Sequence, residues 1–241
     1  MDSHDLHTSA KIPFFNNAYI AEFIYGGIDG AITTFAVVAG AAGAEAAVHW
    51  VLIFGFANLL ADGFSMSVGN YFSVKAEQEN FEKHVQIEYW EIEHLKEQEI
   101  QEVRDIYKAK GFDGELLEEV VKVITGDKKV WVDTMMKEEL EMIKEDRTAV
   151  RTALATFSAF NIIGLIPLLV YVIAIFVDIK QSMLFPISCV GTGIAMVIVG
   201  YMRGKVTNTN KRKSMLQVLT LGGLAAVFAY MVGVVLAKFL L

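Results

Sequence analysis

The fold class this sequence predicts is an all-α integral membrane protein: five transmembrane helices, with a cytoplasmic three-helix domain inserted between the second and third. Three observations predict the architecture. Hydrophobic residues make up 54% of the 241 positions and mean hydropathy is +0.42, high for a soluble domain. Five apolar stretches each reach the length of about 20 residues that a helix needs to cross hydrocarbon. The charge is also segregated: residues 75–147 hold 21 of the 28 acidic and 12 of the 21 basic side chains, a balance of −9 against +2 for the rest.

The chain opens with 1-MDSHDLHTSAKIPFFNN-17, which has no basic leader and no small-residue cleavage site. It reads as a short amphipathic segment at the interface, not as a cleaved signal peptide. The first span runs from about Glu22 to Ala44. Within it, 26-GGIDGAITTFAVVAG-40 sets Asp29, Thr33, Ala36 and Gly40 on one face. The second span runs from about Val48 to Val74, and its segment 58-NLLADGFSMSVGNY-71 gathers Asn58, Asp62, Ser65, Met66 and Gly69 within roughly a 100° arc. Each span thus offers a polar stripe containing an acid. Small residues on such a stripe serve helix packing, but a carboxylate in hydrocarbon is expensive and points to a function facing a bundle interior or a water path.

The inserted block reads as helices. One long pattern from about Lys75 to Lys110 continues the second span, and 110-KGFDGE-115 breaks it. A short helix follows over about Glu115–Ile124. The turn 125-TGDKK-129 ends that helix, and a third runs from about Val130 towards the third span. On the long helix Glu88, Glu91, Glu99 and Glu102 fall within roughly an 80° arc shared with Ile92, Leu95 and Ile106. They interrupt the apolar stripe, whereas Glu93, Glu97 and Arg104 lie opposite. Carboxylates on an apolar face need something positive to meet them. In 131-WVDTMMKEELEM-142, Val132, Met135, Glu139 and Met142 share a face with Met136 beside it. Such a stripe serves as core filler, yet carboxylates combined with thioethers also suit a divalent transition metal better than Mg²⁺ or Ca²⁺.

The remaining spans run over about Leu154–Val177, Met183–Met202 and Met215–Leu240. Lys and Arg cluster in 203-RGKVTNTNKRK-213 and at the membrane ends of the inserted block, whereas the loops 43–49 and 178–182 share one lysine. By the excess of positive charge on cytoplasmic loops, the N-terminus and the acidic block face the cytoplasm and the C-terminus lies outside. The expected organisation is therefore residues 1–74 (interfacial segment and two spans), 75–150 (acidic domain) and 151–241 (three spans).

Some classes are disfavoured. The single cysteine, Cys189, gives neither a disulfide framework nor a cysteine-based metal centre. A net charge of −7 argues against a nucleic-acid partner. The Glu-x-x-His unit of di-iron bundles occurs once, as 91-EIEH-94, where such a site uses two; His94 is expected to be exposed.

At 26-GGIDG-30, 65-SMSVGNY-71, 74-VKAE-77 and 131-WVDTMMKEEL-140 the sequence resembles the vacuolar iron transporter family, in the same order and over nearly the whole chain. The resemblance implies a homodimer of five-span subunits that exports Fe²⁺, often also Mn²⁺, from the cytoplasm in exchange for protons. It implies no permanently bound cofactor, since the metal is cargo. The family's pathway aspartate and methionine match Asp29 and Met66. Its cytoplasmic ligands match Glu88, Glu91, Glu99, Glu102, Met135, Met136 and Glu139. Plant members carry a glutamate where this chain has Asn58, so Asp62, one turn on, is the candidate replacement for proton coupling. A membrane-anchored metal buffer or sensor is the alternative, and the acids within the spans count against it. The compact chain is expected in the plasma membrane of a prokaryote.

Overall fold

The computed structural model describes residues 19–240. The proposed interfacial segment at the N-terminus lies outside the described residues. Among those described, every regular element is a helix and there is no strand: α1 Ile20–Gly43, α2 Val48–His94, α3 Lys96–Ala109, α4 Gly114–Thr125, α5 Lys128–Glu138, α6 Ala149–Gly164, α7 Ile166–Ile173, α8 Gln181–Val206 and α9 Lys211–Leu240. The chain divides into two compact units, one made of residues up to Phe72 together with those from Arg147 onward, the other of Ser73–Asp146.

In the first unit α1, α2, α8 and α9 are each long and apolar enough to cross a membrane. The bent pair α6 and α7, at 47°, supplies the fifth span if counted as one. The bend is a correction to the straight third span, and its cause is Pro167 in the first turn of α7: proline has no N–H to continue the ladder and its ring crowds the preceding turn. Residues 174–177, expected at the end of that span, lie beyond α7.

α1 is the hub, packing against α6, α7, α8 and α9. Its glycines permit this. A Cβ on Gly30 would stand 2.3 Å from the Phe160 carbonyl oxygen, and one on Gly43 would stand 2.3 Å from that of Tyr230. Membrane helices lack a hydrophobic drive to associate and use such close backbone approach instead. α2 reaches the α6–α7 bend through Gly55, against Leu168, and Gly63, against Phe160 and Asn161. Val38, Leu59, Phe160, Leu168 and Met196 form the buried centre. Near the start of α1 the buried carboxylate of Glu22 is ion-paired with Arg147, and the Asn70 side chain donates to the Thr156 hydroxyl at 2.7 Å.

The second unit holds four helical segments rather than three, because the long helix breaks. Leu95 leaves helical dihedrals (φ −123°, ψ 30°) and α3 starts afresh at Lys96. Packing overrides local propensity here: Ile92 from α2 and Val103 from α3 enter one core with Leu117, Val121, Trp131, Met135 and Met136. α5 also ends at Glu138 instead of running on towards α6, so Glu139 and Met142 lie beyond it. Glu138, Glu139 and Glu141 crowd the negative end of the helix dipole, and Glu141 turns the chain with a φ of 52°. The turns read from sequence have concrete causes. Gly111 and Gly114 take positive φ, and the Asp127 carboxylate caps α5 by accepting from the Lys129 and Val130 amides at 2.8 and 3.2 Å.

Candidate functional site

Two groups of residues carry chemistry, one in each unit. In the second unit, Glu88 on α2 and Glu99 on α3 are each only 3% exposed. Each stands one turn from a core residue, Ile92 and Val103, which draws it into the domain interior. One carboxylate oxygen of each, Oε2, is buried without a hydrogen-bond partner. Glu91 and Glu102 are half-buried and Glu139 is exposed.

The five carboxylates lie within electrostatic reach of one another. Burial, then the charges of Glu139, Glu91 and Glu102, pushes Glu88 up to about 7. Burial, then Glu102, Glu88, Glu91 and Glu139, pushes Glu99 up to about 8. Glu102 and Glu139 are raised as well, first by desolvation and then by neighbouring carboxylates. The break at Leu95 therefore does not scatter the set: it divides the set between two helices, and Glu139 approaches from the end of α5. Met135 and Met136 are fully buried in the core that Ile92 and Val103 share. No three His, Cys, Asp or Glu side chains among the described residues converge closely enough to grip an ion, as mutually repelling carboxylates would not.

The solvent face of this unit behaves differently. Arg104 holds Glu118 with two bonds of 2.8 and 3.0 Å, Lys128 holds Glu93 at 2.6 Å, and Lys110 pairs with Glu138. These pairs face solvent, where water and salt screen them, so they add little to stability. They keep Glu93, Glu118 and Glu138 at lowered pKa, the reverse of the buried set. His94 is exposed, stacked on Trp90 at 4.5 Å with its Nδ1 2.8 Å from the Trp90 carbonyl.

In the membrane unit Asp29 and Met66 are half-buried, Met66 against the central core. The Thr33 hydroxyl donates to the Asp29 carbonyl at 2.9 Å. Asn58 donates a hydrogen bond to the Asp62 carboxylate, and the charge of Asp62 reaches Asp29. Asp62, Ser65 and Gly69 are exposed, a polar stripe along the outside of α2. Reading the sequence did not find the Glu22–Arg147 pair; the signal available was an acid in the first turn of an apolar span.

The pattern of the VIT family matches residues 20–234. Relatives include the vacuolar iron transporter of Toxoplasma gondii, 35% identical over 238 residues, which cover 96% of this chain and 77% of the relative. Vacuolar iron transporter 1 of Tulipa gesneriana is 32% identical over 88% of this chain and 84% of its own length. The vacuolar iron transporter of Plasmodium berghei is 30% identical over 97% of this chain and 88% of its own length. With a match of that extent on an all-helical membrane frame, the chain belongs to the VIT family, whose named members are transporters and not enzymes.

Proposed function

We propose that the chain carries divalent iron across the membrane, out of the cytoplasm, with manganese as a second cargo and protons moving the other way. The observation that carries this reading is the pair of buried carboxylates, Glu88 and Glu99, each with an oxygen that meets no partner. An unpaired buried charge is resolved by taking a proton or a cation. A site whose acids titrate near neutrality exchanges one for the other, because carboxylates must lose their protons to hold metal. Residues 75–150 act in this reading as the collecting domain: Glu88, Glu91, Glu99, Glu102 and Glu139 close around the ion, with Met135 and Met136 adding softness that favours a transition metal. The ion passes to Asp29 and Met66. Asp62, held by Asn58, takes the proton-coupling role.

The subunit works as a homodimer. Support comes from the exposed stripe Asp62–Ser65–Gly69: a carboxylate facing lipid at mid-membrane costs about 2.5–3.5 kcal/mol, so a second copy or a water path covers it. The N-terminus and acidic domain are cytoplasmic on the basic-loop argument. The relatives' names place those proteins at the vacuole, and nothing in them favours a prokaryotic plasma membrane.

Proteoliposomes holding a metal-sensitive dye test the reading. Fe²⁺ flux that grows with a proton gradient of the required direction, and that is lost in Asp29→Asn, is the expected result. Saturable binding without flux would replace the carrier with a metal buffer, and full-rate transport by Asp29→Asn would remove Asp29 from the path.

A further inference from the structure

At the end of the membrane unit where α1 passes to α2 and α7 to α8, the chain does something that transport does not require. α1 ends in a Schellman turn, the Glu45 amide donating to the Ala42 carbonyl at 3.1 Å and the Ala46 amide to that of Ala41 at 2.9 Å. The left-handed residue of such a turn is ordinarily glycine; here it is Glu45, with φ 54°. A side chain in that conformation carries a backbone cost, which Glu45 shares with Glu141 and Asn208. No ion pair among the described residues engages the Glu45 carboxylate.

Glu45 lines a cavity of about 590 Å³ together with Gln181, Ser182 and Tyr230. Gln181 and Ser182 open α8, whose start no side chain caps, so their amides are free to donate. A second cavity, of about 480 Å³, adjoins the first and shares Phe185 and Tyr230 with it; the two rings stack at 5.8 Å. This one is an apolar groove between α8 and α9, from Phe185 to Met196. At 1.5 Å per residue that stretch of α8 rises about 16 Å, half of the roughly 30 Å hydrocarbon core and so the depth of one leaflet.

We propose that the two cavities form a binding site for one phospholipid with a primary-ammonium headgroup, of the phosphatidylethanolamine class. The ammonium sits on Glu45, the phosphate by the opening of α8, and one acyl chain in the α8–α9 groove. The order of the features matches such a molecule: an anionic side chain, free amide donors, then an apolar channel one leaflet deep. The occupant follows from the medium, because the groove lies along two membrane-spanning helices and opens to the bilayer. The carboxylate selects the headgroup, attracting an ammonium and repelling an anionic lipid.

The test uses delipidated full-length protein in detergent, titrated with dioleoylphosphatidylethanolamine or dioleoylphosphatidylglycerol and read by native mass spectrometry. One phosphatidylethanolamine per chain is expected, with phosphatidylglycerol about tenfold weaker, equal to about 1.4 kcal/mol. Glu45→Gln should weaken phosphatidylethanolamine to the same level. Gly223→Leu should abolish binding: a Cβ on Gly223 meets nothing within 4 Å, so the new side chain enters the groove without disturbing the fold. Glu45→Gly separates a ligand role from a structural one, since it supplies the residue the turn favours and should raise the melting temperature while losing the lipid. Equal binding of the two lipids, or undiminished binding by Glu45→Gln, would overturn the proposal. So would a change in oligomer mass on Gly223→Leu, which would make the groove a contact between copies.

Discussion

Glu88 and Glu99 hold protons in the folded protein at a pH where the unfolded chain has already lost them. Their values of about 7 and about 8 stand against an ordinary 4.5. From about pH 4.5 to 8 the folded state therefore binds more protons than the unfolded one, and its stability falls as pH rises through that window. This is the reverse of the usual salt-bridged carboxylate. Thermal unfolding of the metal-free protein should accordingly show a lower midpoint at pH 8 than at pH 5. Glu99→Gln should flatten that slope and stabilise the protein at pH 8 by about 1–3 kcal/mol, while weakening metal binding. Added Mn²⁺ should restore wild-type stability at pH 8 and release protons, measured by calorimetry in buffers of different ionisation enthalpy. A wild-type midpoint that rises with pH would refute the assignment of buried acids with raised pKa values. At this scale the sequence shows which glutamates interrupt an apolar stripe, because helical phase is local. It does not show that Glu88 and Glu99 are buried while Glu91 and Glu102 are half-buried, because that depends on α4 and α5 closing over α2 and α3. Nor does it show that Asn58 grips Asp62.

Among the elements, glycine placement decides what each membrane helix tolerates. Gly30 of α1 has the Phe160 backbone against it, whereas around Gly69 of α2 a Cβ would meet nothing within 4 Å. Gly30→Ala should cost more than the about 1–3 kcal/mol usual for overpacking, since backbone cannot swing away as a side chain can; a loss of folded yield and melting temperature would register it. Within one subunit Gly69→Ala should be neutral or stabilising by up to about 1 kcal/mol, the helix-propensity difference. Full stability combined with lost flux in Gly69→Ala would mark the exposed stripe of α2 as part of the path. Composition alone locates α8 and α9 to within a few residues, because a run of about 20 apolar residues has few other uses; α1, which carries glycines and polar residues, is placed partly by the polar block that follows the second span. The bend at Leu165 is visible only as Pro167, which says where a helix fails but not by how much it turns. The break at Leu95 carries no glycine or proline at all. It arises from the core that Ile92 and Val103 build together, which no local pattern encodes.

Across the whole molecule the surface of α2 is the unresolved liability. Phe64 is 64% exposed and Leu60 56% exposed, as suits a lipid-facing helix, yet the exposed Asp62 and Ser65 share that surface. A single subunit in a bilayer would leave this carboxylate in hydrocarbon at a cost of several kcal/mol. A two-fold contact sets the same patch against itself, and there it can enclose a wet, polar seam. The outer face of α9, by contrast, is apolar throughout its middle, with Phe228 66% exposed, and needs only lipid. The chain has one native cysteine, Cys189, so a Cys189→Ala background isolates introduced thiols. In that background Ser65→Cys, treated with a short thiol-specific cross-linker in native membranes, should yield a covalent dimer on a denaturing gel, and Phe228→Cys should stay monomeric. The opposite pattern would move the subunit contact to α9 and leave Asp62 to a water path within one subunit. In that case Asp62→Asn should still impair proton coupling, whereas at a dimer seam it should impair coupling and strengthen the dimer, because two like charges would no longer face each other across the axis.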